Sequence, residues 1–123
     1  MKFSETLLDS SYRITGYDKD SIWVNGQPCK QAILLTAQSL ETPWLNKTFA
    51  QWDVHDLEPL LQIKAEVLLI GSGSHYQPLA PRCYQLLVER QLGFEIMDTS
   101  AACRTFNLLL MEARSVAAAL FIN

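Results

Sequence analysis

Hydrophobic and polar positions give the two halves of this chain different rhythms. The first half is β-like. Tyr12 to Tyr17 and Ser21 to Val24 read as strands separated by the polar break Asp18-Lys19-Asp20. Asn25-Gly26 then marks a hairpin, because a type I′ turn needs positive φ at both central residues. Gln27 opens a third strand, edge-like at Pro28, which cannot donate to a ladder. That strand regains strength through Ala32-Ile33-Leu34-Leu35-Thr36, so the opening third is predicted to be a meander. Residues 37–53 carry Trp44, Phe49 and Trp52 without a sustained period, which suits either the flanks of a short strand or a packed loop. Asp56 is the expected N-cap of a short helix reaching about Ile63, with Glu58 in its first turn and Pro59 tolerated that early.

The second half reads strand, helix, strand, helix, strand. Glu66 to Gly71 is a near-continuous apolar run, the mark of a strand buried on both faces. Leu79 to Gln91 repeats apolar residues at Cys83, Leu86 and Leu87, with Gly93 as the expected stop. Phe94 to Met97 is a strand, Ala101 to Ala113 a largely apolar helix, and Val116 to Ile122 a closing strand whose alanines let a helix approach closely. The pattern predicts an α/β domain over residues 12–123, a mixed sheet covered by helices with the meander leaning on it. Residues 1–11 show no clear period and are read as a mobile lead-in or a short helix.

Composition narrows the function classes. A net charge of −3 lacks the dense basic surface that general nucleic-acid binding needs. Three scattered cysteines, Cys29, Cys83 and Cys103, suggest no disulfide framework and a reduced, cytoplasmic setting. No apolar run is long enough to span a bilayer, and the first residues lack the apolar stretch of a signal peptide. No metal or cofactor motif is complete: His55 and His75 are isolated and the cysteines share no close spacing.

Candidate chemistry gathers at two places. Asp98 or Thr99 can cap the helix that follows, and its first-turn amides with the helix dipole mildly favour anions. Ser100, Cys103 and Arg104 lie just beyond. Cys103 shares a helix face with Thr99 and Asn107, not with Arg104, so it reads first as a packed cysteine and only second as a nucleophile without an assigned base. The loop Gly71-Ser72-Gly73-Ser74-His75 follows the buried strand as a glycine-permitted turn or an amide nest. It is no dinucleotide fingerprint, because Tyr76 stands where the third glycine would fall; it is neither a phosphate loop nor a nucleophile elbow. If the strands before these two segments are neighbours and parallel, the segments share one sheet edge and form a small polar pocket. Exposed rings at Trp44 and Trp52 would instead offer a docking surface.

Phe94-Glu95-Ile96-Met97-Asp98-Thr99, Ala101 to Asn107 and Val116 to Phe121 together resemble the closing signature of a family of uncharacterised bacterial and archaeal proteins. Its mitochondrial relatives include NADH:ubiquinone oxidoreductase complex assembly factor three. Ile14 to Tyr17, Trp44 and Leu68 to Gly73 are similar to the same family in order, and Ser100 stands where a glycine is common. The resemblance implies a three-layered α/β fold with a mixed sheet of about five strands. It also implies a non-enzymatic assembly role with a protein partner, a membrane-complex subunit or another assembly protein. The other reading is an anion-binding protein or small enzyme that uses the same pocket, with Arg104 holding the anion.

Overall fold

The computed structural model describes residues 11–122. The expectation for the lead-in falls almost wholly outside them. Strands β1 (Ile14–Tyr17), β2 (Ile22–Val24) and β3 (Gln27–Cys29) form an antiparallel three-stranded sheet. Its first hairpin residues behave as predicted, with φ of 48° at Asn25 and 82° at Gly26. The other strands are β4 (Ala32–Thr36), β5 (Leu40–Leu45), β6 (Val67–Gly71), β7 (Phe94–Met97) and β8 (Val116–Leu120). They form a mixed five-stranded sheet in the order β5-β4-β8-β6-β7. The helices are α1 (Glu58–Leu61), α2 (Pro81–Glu89) and α3 (Thr99–Met111).

Strand periodicity divides the core into two sides. Leu69, Ala118, Leu120, Ile33 and Leu35 pack toward α3 and the meander, joining Ala102, Cys103, Phe106, Ile14, Ile22 and Val24. The alternate residues, Leu68, Ile70, Ala117, Ala119 and Leu34, face Cys83 and Leu87 of α2 with Leu57 and Leu60. Three layers result, because both faces of the central strands are apolar and each must be covered.

Several sequence expectations need correction. The stretch from Gln27 to Thr36 is two strands in two sheets, since Lys30-Gln31 turns the chain from the meander into the central sheet. Asp56 is not the cap of the short helix. Asp53 caps a 3-10 turn over Val54–Leu57, its carboxylate accepting from the Val54 N–H at 2.7 Å. Asp56 reaches back to the Asp53 N–H at 3.0 Å and pairs with Lys47 at 2.8 Å. Gln91, at φ 58°, makes the left-handed turn after α2, and Gly93 instead passes close to the Glu66 carbonyl. The last helix begins two residues earlier than its apolar period suggests. Phe49 and Trp52 are buried and Trp44 half-buried; Trp44 stands edge-on to Trp52, and Phe49 and Trp52 stand edge-on to Phe121. This cluster is core and does not form an aromatic docking surface.

Candidate functional site

Strands β7, β6 and β8 are parallel neighbours, so their C-terminal ends share one edge of the sheet. The Gly71-to-His75 loop and the start of α3 meet there, as the condition on strand order requires. What joins them is Thr99. Its N–H donates to the Gly73 carbonyl at 2.8 Å, and its hydroxyl accepts from the Gly73 N–H at 2.8 Å. The same hydroxyl donates to the Phe121 carbonyl just beyond β8. One buried side chain thus ties the ends of two strands to a helix.

The close approach has a steric condition. A Cβ at Gly71 would lie 2.8 Å from Thr99 Oγ1 and 3.0 Å from Thr99 Cα. Glycine is required here for space. Ser72 is equally committed: its hydroxyl donates to the His75 carbonyl at 2.7 Å and accepts from the Gln77 N–H at 3.1 Å. The loop is an internally hydrogen-bonded turn.

Asp98 is the N-cap of α3. Its carboxylate accepts from the Ala101 N–H at 2.9 Å and the Ser100 hydroxyl at 2.7 Å. Those bonds hold the carboxyl below its ordinary range, the Ala101 amide contributing most. With a depressed folded-state pKa, the stabilisation is complete above the ordinary carboxylate pKa of about 3.9 and is lost as pH falls through the folded value. Asp98→Ala is expected to cost about 1 kcal/mol at neutral pH and much less in acid, read by urea unfolding at both pH values.

Cys103 lies on the buried face of α3 and is 1% exposed. Burial pushes its thiol up to about 12, against the opposing pull of Arg104. Cys83 is buried as well, and its thiol is raised for the same principal reason. Neither histidine hydrogen-bonds Cys103 or the Ser72 hydroxyl through its ring. Arg104 points outward and donates to the Tyr17 hydroxyl at 2.8 Å, joining α3 to the end of β1. The residue that the sequence pattern concealed is Asn107. Its amide donates to the Ile14 carbonyl and its carbonyl accepts from the Ile14 N–H at 3.0 Å, pairing with β1 like a strand neighbour.

The meander overhangs this edge and encloses a cavity of about 280 Å³. Gly73, Ser74, Thr99 and Ser100 line one side, Tyr17, Asp18 and Lys19 the other. Of the residues selected from sequence, Gly71, Ser72, Asp98, Cys103 and Arg104 lie outside that lining: Ser72 and Cys103 are buried, and Arg104 borders it through Tyr17. A larger cavity of about 760 Å³ lies among Tyr12, Thr36, Lys64, Met111 and Arg114 at the opposite sheet edge and contains none of these residues. Among the described residues, no group of three His, Cys, Asp or Glu side chains is placed to hold a metal ion, and no helix is long and apolar enough to cross a membrane.

Comparison with known proteins adds relatives to this geometry. The chain is 34% identical over 84 residues to NADH dehydrogenase [ubiquinone] 1 alpha subcomplex assembly factor 3 of Xenopus tropicalis, covering 60% of this chain and 46% of that protein. The Drosophila melanogaster protein of the same name is 29% identical over 127 residues, covering 94% of this chain and 61% of its own length. The matches span from about a third to three fifths of the length of these curated relatives, and just under half of the Xenopus tropicalis protein. A crystal structure of a Bordetella parapertussis protein superimposes with a TM-score of 0.82 at 31% identity, covering 91% of this chain and 96% of that one. The family model described as "Protein of unknown function (DUF498/DUF598)" matches residues 14–121, and the chain belongs to that family.

Proposed function

We propose that the protein is a non-enzymatic, protein-binding domain of assembly type, which recognises its partner around the start of α3. One observation carries this reading: the buried hydroxyls and thiol at this edge, Ser72, Thr99 and Cys103, are already committed. Ser72 and Thr99 spend their hydroxyls on backbone, and Cys103 is a buried, protonated thiol. What faces outward is a polar rim of Tyr17, Asp18, Lys19, Ser74 and Arg104. Such a rim suits recognition better than catalysis, which needs a nucleophile within reach of a base. The named role of the assembly-factor relatives supports the same class, and extends it to a subunit or assembly protein of a respiratory complex.

The 280 Å³ cavity favours a second reading, an anionic ligand held at the helix start beside Lys19 and Ser100. The Asp98 carboxylate weakens it, because it already occupies the Ala101 amide and places a negative charge where an anion would sit. Arg104→Ala severs the link to Tyr17 without opening the core and is expected to leave the melting temperature near that of wild type. The variant should lose a protein partner that wild type captures from the source cells. Retention of that partner would move recognition away from the helix start, whereas saturable binding of inorganic phosphate lost in Lys19→Ala would favour the second reading.

A further inference from the structure

The central sheet has two edges that differ in kind. The β5 edge is blunted: it contains Pro43, which lacks a backbone donor, and its pairing with β4 is interrupted by a register shift. The β7 edge is regular. Gly93 and Met97 carbonyls accept from Leu68 and Ser72 of the β6 side, at 2.8 and 2.9 Å. Parallel alternation then points the N–H and C=O groups of Phe94 and Ile96 away from the sheet. Among the described residues, no bond from another element reaches the backbone of those two.

Apolar side chains frame this edge on both faces. Phe94 and Ile96 pack on the α2 side, where Tyr84 stands edge-on to Phe94 at 5.4 Å. Tyr84 and Val88 remain 52% and 51% exposed. On the other face the Thr105 hydroxyl lies 3.6 Å from Met97 Sδ, and Leu108, one turn further along α3, is exposed. Glu95 projects on the same face as Met97, exposed and in no ion pair among the described residues.

We propose that β7 is an open docking edge that takes an extended segment of a protein partner as a sixth strand of the central sheet. The segment is apolar at alternate positions and carries Lys or Arg opposite Glu95. Main-chain bonds to Phe94 and Ile96 supply affinity, and the flanking rings and Glu95 supply selectivity. Glu95 favours a basic segment over a second copy of this chain as the occupant. Antiparallel self-pairing must set outward residues against outward residues. Centred on Glu95, it places two carboxylates directly opposite each other; centred on Phe94 or on Ile96, it sets Glu95 opposite Gly93 or Met97, with no cation facing it. A basic partner strand supplies that cation.

This inference rests on protein recognition as the role, but not on the rim around Arg104. The test is to pan a phage-displayed library of random dodecapeptides on the full chain. Amide exchange is then followed by NMR with the enriched peptides. Enrichment of alternating apolar peptides bearing Lys or Arg is expected, with exchange at Phe94 and Ile96 slowed by about tenfold or more while Glu95 and Met97 hardly change. Ile96→Pro removes an outward donor, together with the packed Ile96 side chain, and should abolish binding. Should that variant fail to fold, the exposed Glu95→Lys decides, with affinity for basic peptides lowered about threefold or more. Arg104→Ala should bind these peptides like wild type, which separates this edge from the helix-start surface. Failure to enrich such peptides, protection elsewhere, or slowed Phe94 and Ile96 exchange through self-association alone would overturn the proposal.

Discussion

Thr99→Val is expected to destabilise the protein by about 2–4 kcal/mol, although the two side chains have nearly the same shape. The substitution leaves the Gly73 N–H and the Phe121 carbonyl without their partner inside a buried site. A buried polar group stripped of its bond costs about 1–3 kcal/mol, and here there are two. Thr99→Ser retains the hydroxyl and should recover most of the loss. Urea unfolding of the three proteins measures this directly. A Val variant as stable as wild type would mean that Thr99 does not hold the strand ends to α3. The same argument makes Gly71→Ala costly, because its new methyl would meet Thr99 at 2.8 Å in a region with no slack.

In the native state, Cys103 should react with iodoacetamide at pH 8 about a thousandfold more slowly than in the urea-unfolded chain. With the thiol raised to about 12, the thiolate fraction at that pH falls far below that of an unfolded cysteine near 8.5. Its 1% exposure slows access further. Mass spectrometry of the labelled peptide gives the rate. Rapid native labelling at Cys103 would revive a thiolate mechanism and weaken the binding-protein reading.

The parallel half of the fold was legible because its strands are buried on both faces. Val67 to Ile70 needs no alternation to declare itself, and the glycines that follow mark where it stops. The first half was harder for specific reasons. Only Lys30 and Gln31 separate β3 from β4, so one apolar rhythm runs across a change of sheet. Strand β5 is hidden by Pro43 and by the bulge that disrupts its pairing.

The candidate site divides in the same way. Asp98 as a cap is a local property, with its partner Ala101 three residues away. Thr99 and Asn107 act over distance. Thr99 binds residues 22 and 26 positions away, and Asn107 binds one 93 positions away, so no local window contains their meaning. Cys103 shows the limit of motif reasoning: its neighbours in sequence suggest activation, whereas its neighbours in space impose burial.

Whether this protein works as a binding domain is tested by a quantitative affinity capture from the source cells. Wild type and Arg104→Ala are compared after circular dichroism and thermal melting establish that both are folded. A binding domain should enrich a defined protein on wild type and lose it on the variant, the identity of that protein naming the assembly that the domain serves. Capture of no protein by either form, together with turnover or tight binding of a small molecule, would contradict it.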